Sequence, residues 1–93
     1  MEWLETIELR SAGSNFESVK TNLLNLTEYA SRDAERQAIK FYSSGVIDSD
    51  FCIHLIHNST VIEKDGSKLG LGIAAALKEF GLVNHKIWVE IQD

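Results

Sequence analysis

The segment that most constrains the fold runs from Phe51 to His57 and has few polar interruptions. Such a run is typical of an inner strand that is covered on both faces. Because side chains alternate along a strand, this one has two different faces. Its apolar face consists of Phe51, Ile53 and Leu55, and its mixed face of Cys52, His54 and Ile56. What covers the mixed face is the question on which function depends.

A helix is predicted after this strand, because apolar residues recur there at helical spacing. The stripe consists of Leu69, Ile73, Ala76, Leu77 and Phe80. Ser67 is placed to cap the start of the helix, and Gly81 stands where a helix end favours a left-handed residue. We expect the stripe to pack on the apolar face of the preceding strand, which leaves the mixed face uncovered by this helix.

The rest of the chain predicts three further strands and one helix. Alternating side chains indicate strands at Trp3–Arg10, Ala38–Val46 and His85–Ile91. Helical spacing indicates a first helix at Phe16–Ala30, with Ser14 or Asn15 as its cap, followed by a solvated connection at Ser31–Arg36. The order is therefore strand, helix, strand, strand, helix, strand, which is the ferredoxin-like βαββαβ pattern.

This pattern predicts an α+β fold with a four-stranded antiparallel sheet and both helices on one face of it. The first and third strands are expected at the centre of the sheet. The helix-free face is predicted to carry Thr6, Glu8, Arg10, Lys40, Tyr42, Cys52, His54, Ile56, Trp88 and Glu90. A shift of one residue in the register of any strand would move its side chains to the opposite face of the sheet.

Composition indicates one domain, residues 1–93, that associates with itself, because 44% hydrophobic residues are more than a small monomer hides easily. A net charge of −5 with scattered Lys and Arg argues against a nucleic-acid partner. The lone Cys52 excludes an intramolecular disulfide. No signal-peptide pattern and no bilayer-spanning apolar run is present in the sequence. We expect a soluble, cytoplasmic homodimer with no membrane partner.

The element order, the length and two local sequences carry a resemblance to a known superfamily. The local sequences are the strand Asp50–His57, charged at its start and then apolar, and the small-residue helix that follows it. The chain resembles the dimeric α/β-barrel superfamily and, within it, the antibiotic biosynthesis monooxygenase-like proteins. The resemblance covers nearly the whole chain. It implies that two sheets pack face to face, with a small ligand in the barrel or between a sheet and its helices, but no catalytic motif carries over to a position here.

His54 is the leading candidate for a catalytic residue. On the helix-free face it would stand beside Glu8 or Thr6 across the central strand pair. A histidine beside a carboxylate keeps one tautomer and acts as a general base near neutral pH, so Glu8 is its predicted partner. The alternative is a histidine satisfied by hydrogen bonds in a dimer interface.

A flat apolar or aromatic ligand is predicted on the same face. Tyr42 and Trp88 would form its walls, and Cys52, as a small buried hydrophobe, would line the same surface. The polar groups that would orient the ligand are Arg10, Lys40 and Glu8. Alternatively, Trp88 anchors the dimer interface.

No metal or cofactor site is predicted. His54 and His57 face opposite sides of their strand, and Cys52 with His54 and Glu8 lacks the spacing of a metal site. The segment Gly66–Gly72 matches neither the Walker nor the dinucleotide-binding pattern.

Two packing expectations complete the prediction. Gly70 and Gly72 are expected to let their helix approach another backbone closely. Trp3 and His85 are expected to be surface or edge residues, since each lies near a predicted strand end.

Three functions remain open at this point. The first is a homodimeric module that binds a small apolar or aromatic molecule. The second is a cofactor-independent monooxygenase or isomerase with His54 as general base. The third is a regulatory ligand-binding module, similar in topology to amino-acid-binding ACT modules, that acts on a partner protein.

Overall fold

A computed structural model describes the backbone of residues 2–12, 16–31 and 37–92, together with the side chains outside 27–31 and 37–38. Its elements follow the predicted order. They are β1 (Glu2–Ser11), α1 (Phe16–Ser31), β2 (Gln37–Ser43), β3 (Asp50–Asn58), α2 (Lys68–Leu77), a short 3₁₀ turn (Lys78–Phe80) and β4 (Gly81–Val89). The prediction of a ferredoxin-like α+β fold is confirmed.

The sheet has the strand order β2-β3-β1-β4, and every neighbouring pair is antiparallel. β1 and β3 therefore lie at the centre, as predicted. The register places Ile7 of β1 opposite Ile53 of β3 and opposite His85 of β4. Because alternate residues face the same side, the odd-numbered residues of all four strands share one face.

Both helices pack on this odd-numbered face around one apolar core. The core consists of Ile7, Leu9, Val19, Leu23, Phe51, Ile53, Leu55, Ile73, Ala74 and Leu77. The predicted contact between α2 and the apolar face of β3 is therefore confirmed. The predicted stripe was wrong at one position, because Ala74 is buried and Ala76 is exposed. The close packing of Gly70 on the sheet turns α2 so that Ala74, one turn later, faces the core.

Strand boundaries differ from the prediction where turns and long-range pairing decide them. β2 ends at Ser43 rather than Val46, because the Ser44 hydroxyl accepts the backbone N–H groups of Val46 and Ile47 in a turn. β4 begins at Gly81 rather than His85, because β1 pairs with it as far as Ser11 opposite Gly81. The predicted caps Ser14 and Asn15, and residues 32–36 of the predicted connection, lie outside the described residues.

Position 81 requires glycine because a side chain there would clash with the backbone of β1. Gly81 ends the helical segment, as predicted, and its φ of 158° is positive, but its ψ of −152° lies outside the left-handed helical region. A Cβ atom at this position would lie 2.1 Å from the carbonyl oxygen of Arg10. Any side chain would therefore push β4 away from the end of β1.

None of the described helices combines the length and the apolar character needed to span a membrane.

Candidate functional site

Glu5 of β1 points into the protein interior and has an exposed fraction of 0%. The Oε1 atom of Glu5 lies 2.8 Å from His57 Nε2 and 2.6 Å from the Ser67 hydroxyl. The Oε2 atom of Glu5 lies 2.5 Å from His85 Nε2 and 3.1 Å from the Ser67 backbone nitrogen. We call Glu5, His57, Ser67 and His85 the Glu5 cluster. It lies between the sheet and the start of α2.

Strand register brings the two histidines to Glu5 from opposite sides. His57 of β3 stands opposite Trp3, and His85 of β4 stands opposite Ile7. Glu5 lies between Trp3 and Ile7 on the same face of β1, so each histidine is its diagonal neighbour on an adjacent strand. Diagonal neighbours on one face are within reach of long side chains.

The start of α2 covers the cluster on the side away from the sheet. Ser67 caps the helix by accepting the backbone N–H of Gly70, at 2.9 Å, and its own hydroxyl and N–H donate to Glu5. A helix N-terminus favours a negative charge, because its free N–H groups carry partial positive charge. The predicted cap at Ser67 is confirmed, and the same residue binds the buried carboxylate.

Two glycines leave room for this arrangement. A Cβ atom on Gly70 would lie 1.8 Å from Glu5 Oε2, and one on Gly66, whose φ is 108°, would lie 2.5 Å from a ring carbon of His85. The expectation of close packing at Gly70 is therefore confirmed, but it packs against a side chain rather than a backbone. The expectation for Gly72 was wrong, because nothing lies within 4 Å of the position of its Cβ atom.

Two donors to Glu5 are fixed, and two depend on the histidine tautomers. The hydroxyl and the backbone N–H of Ser67 both donate to the carboxylate. Which ring nitrogen of His57 and of His85 carries a hydrogen depends on the tautomer. An ionised Glu5 accepts from both rings only in the tautomer with the hydrogen on Nε2, which leaves Nδ1 of each ring for another partner.

Trp3 supports the cluster from the side. Its ring stacks on that of His57 with centroids 4.0 Å apart, and its Nε1 donates to the Ser59 hydroxyl at 2.9 Å. Trp3 is 1% exposed, so the prediction of a surface residue was wrong. His85 does lie on an edge strand, as predicted, but inside β4 rather than at its end, where its side chain is 17% exposed and binds Glu5.

The structure places the residues predicted for catalysis on the opposite, helix-free face. Thr6, not Glu8, stands directly opposite His54, and Glu8 stands opposite Cys52. Glu8 lies 3.3 Å from Lys86 in an ion pair. No hydrogen bond joins His54 to Glu8 among the described residues, although both are on the predicted face. The ring of His54 instead contacts Tyr42, with centroids 4.8 Å apart.

Several of the residues predicted for ligand binding line a shallow depression on this face. The depression has a volume of about 460 Å³ and includes Glu8, Arg10, Tyr42 and Cys52. Lys40, His54 and Trp88 share the face but are not part of its lining. The Trp88 Nε1 donates to the Thr6 hydroxyl at 3.1 Å.

Charges around the depression are mostly paired. Arg10 Nε lies 3.2 Å from an oxygen of Asp50, and the hydrogen bond to that carboxylate raises the pKa of Arg10. No group of three or more His, Cys, Asp or Glu residues within the described ranges is arranged to hold a metal ion.

Cys52 lines the depression, and the pKa of its thiol is raised. Burial is the largest cause, because it disfavours the thiolate, and the negative charge of Glu8 adds to it. The positive charge of Lys86 lowers the pKa of Cys52. The thiolate is the nucleophilic form, so Cys52 is expected to be unreactive at neutral pH.

We predict that Glu8→Gln increases the rate at which Cys52 reacts with a thiol reagent at pH 8. The substitution removes a negative charge that raises the pKa of the thiol. It also releases Lys86 from its ion pair with Glu8, and the charge of Lys86 lowers that pKa. The rate of reaction with Ellman's reagent measures the effect, and the parent rate should rise steeply as the pH increases. Glu90→Gln, which removes an exposed charge that does not shift Cys52, is the control. Equal rates for Glu8→Gln and the parent would show that Glu8 does not act on the thiol.

Comparison with protein-family models and with curated protein sequences finds no match for this chain. Solved structures that are similar over nearly its full length include the following two. The Rv0793 protein of Mycobacterium tuberculosis has a TM-score of 0.68 at 14% identity, covering 100% of this chain and 98% of that one. An asparagine-to-alanine variant of SnoaB, a cofactor-independent oxygenase from Streptomyces nogalater, has a TM-score of 0.66 at 15% identity, covering 99% and 95%. At this level of identity the similarity is one of fold, and in its fold the chain is like these two proteins, as the resemblance in its sequence predicted.

Proposed function

We propose that this protein is a cofactor-independent acid–base enzyme for a small molecule, an oxygenase or an isomerase, and that His85 exchanges the proton with the substrate. The proposal is based on one observation, the burial of Glu5 between two histidines. Buried charges cost several kcal/mol each unless they are well paired, and apolar residues of similar volume often hold elements together as well or better. A histidine that is oriented by a buried carboxylate is an arrangement that general acid–base catalysis uses.

His85 is the most exposed of the three ionisable residues in the cluster, and the proposal assigns the contact with substrate to it. Its side chain is 17% exposed, compared with 5% for His57 and 0% for Glu5. With Nε2 held by Glu5, Nδ1 is the nitrogen that accepts or releases a proton. A buried carboxylate plays the same orienting role for the catalytic histidine of serine hydrolases.

The fold is compatible with this reaction class. One protein with a similar fold is a cofactor-independent oxygenase. Such chemistry needs a group that moves a proton at the substrate, and the Glu5 cluster offers one without a metal or cofactor. The likeness supports the class of reaction and assigns no residue, because the identity is only 15%.

A second candidate places the ligand on the helix-free face, as the sequence predicted. The depression lined by Glu8, Arg10, Tyr42 and Cys52 supports it, because concave surfaces with a few polar groups bind small molecules. In this alternative, His54 is the general base and Lys40 and Trp88 contact the ligand from the surrounding face. The two candidates therefore assign the proton transfer to histidines on opposite faces of one sheet.

We predict that His85→Gln lowers turnover by about 10²–10⁴-fold, the usual contribution of a general acid–base group. Substrates are first selected by a thermal-shift screen of small aromatic and enolisable compounds. Turnover is then measured as deuterium incorporation at the acidic C–H position and as oxygen uptake. The glutamine amide still donates to Glu5, so the variant is expected to keep its fold.

His54→Gln is the matched control for this measurement, because it changes a histidine on the other face. Under the proposal it leaves turnover unchanged. Loss of turnover in His54→Gln alone would support the second candidate instead. Full turnover in both variants, with unchanged melting temperatures, would contradict both assignments.

We also propose that the protein forms a homodimer through its helix-free face. Large apolar side chains on this face are open to water, with exposed fractions of 46% for Tyr42, 52% for Trp88 and 76% for Leu82. Exposed apolar patches on small proteins commonly mark interaction sites. A two-fold symmetric pairing of this face would cover the same residues on both copies.

We predict that Trp88→Glu shifts the protein from dimer to monomer, because it buries two like charges in the proposed interface. Light scattering across a range of micromolar concentrations measures the change. Leu24→Glu is the control, because Leu24 is a similarly exposed apolar residue, at 55%, on α1. A monomer mass for the parent at all concentrations would rule out the proposed dimer.

A further inference from the structure

A second cavity lies between α1 and β2, at the β2 edge of the sheet, and shares no residue with the Glu5 cluster. Its volume is about 210 Å³. Leu23 and Phe51, which are 4% and 5% exposed, form its deepest part. Leu24 and Tyr42 also line it and remain about half exposed, so the cavity opens to the surface between them.

The walls of this cavity are largely aromatic. The rings of Phe16 and Phe51 stack with centroids 5.4 Å apart and planes 24° from parallel. Phe41 of β2 lines the same space and is partly buried against the core. Aromatic rings favour offset or edge-to-face contact with other rings, so these walls suit a flat aromatic occupant.

Lys20 places a positive charge at this cavity. It lies one helical turn before Leu23 and Leu24, and therefore on the same side of α1. Its side chain is exposed, and no described side chain forms an ion pair with it. The hydroxyl-bearing Ser43 also lines the cavity. A cation beside an apolar cavity selects an anionic ligand with an apolar body.

We propose that this cavity binds a small monocarboxylic acid with a single aromatic ring. The ring lies among Phe16, Phe41 and Phe51, and the carboxylate meets Lys20. The volume corresponds to roughly seven water molecules at about 30 Å³ each, which is enough for one ring with a short side chain. The site is distinct from the Glu5 cluster and does not depend on the proposed role of His85. It adjoins the depression on the helix-free face, with which it shares Tyr42, Ser43 and Phe51.

The test uses 3-phenylpropionate and its neutral analogue 3-phenylpropanamide, titrated into isotope-labelled protein and followed by backbone amide chemical shifts. The acid should shift the signals of Lys20, Leu23 and Phe41. It should bind about 1.4-fold to fivefold more tightly than the amide, the range for an exposed ion pair. Lys20→Gln should remove this preference without weakening binding of the amide. Lys78→Gln, an exposed lysine beyond α2, should retain it.

Three results would overturn the proposal. The first is equal affinity for the acid and the amide in the parent protein. The second is a preference for the acid that persists in Lys20→Gln. The third is tighter binding of hexanoate than of 3-phenylpropionate, which would assign the cavity to an aliphatic acid. Binding of the acid should be unchanged in His85→Gln, so the outcome is independent of the proposed catalytic role of His85.

Discussion

The rest of the structure depends on the buried carboxylate of Glu5. Removing a charge from water costs several kcal/mol, and this cost is offset only when the charge is fully hydrogen-bonded. The required donors come from β3, β4 and the start of α2, through His57, His85 and Ser67. Displacing any of these elements would leave a buried partner unsatisfied, at a cost of about 1–3 kcal/mol or more. Glu5 therefore fixes the position of α2 on the sheet as well as the geometry of the candidate site.

The sheet divides the chemistry of the chain between its two faces. The helix side holds an enclosed cluster of ionisable groups with one partly exposed histidine, His85. The helix-free side holds exposed aromatic residues, a shallow depression and the paired charges of Glu8 and Lys86. The first arrangement suits proton transfer, and the second suits association with another copy. This division explains how one small domain accommodates both a candidate active site and a candidate interface.

Local patterns in the sequence were sufficient to predict the fold and the faces of the strands. Alternation along β1 and β3 assigned Glu8 and His54 to one side and Ile7 and Ile53 to the other, and the register confirms these assignments. The depression on the helix-free face includes four of the predicted site residues, whereas the catalytic pairing of Glu8 with His54 stays a prediction.

The Glu5 cluster could not be predicted in the same way, because its members are far apart in the chain. Glu5 binds residues 52 and 80 positions away, and nothing local indicates their diagonal register. One signal was present: Glu5 is a charged residue on the otherwise apolar face of β1, and His57 is on the corresponding face of β3. A polar residue on such a face needs a partner when it is buried. His85 was predicted at a strand end because the sequence does not show where β4 begins. That start, at Gly81, is set by pairing with β1.

The most direct test of the role of Glu5 compares Gly70→Ala with Gly72→Ala in α2 by denaturant unfolding. Alanine at Gly72 meets nothing and should stabilise the protein by about 0.5–1 kcal/mol through helix propensity. Alanine at Gly70 overlaps the Glu5 carboxylate, which can move only by giving up its hydrogen bonds, so it should destabilise by about 1–3 kcal/mol. If Gly70→Ala is as stable as Gly72→Ala, the Glu5 carboxylate does not hold α2 on the sheet.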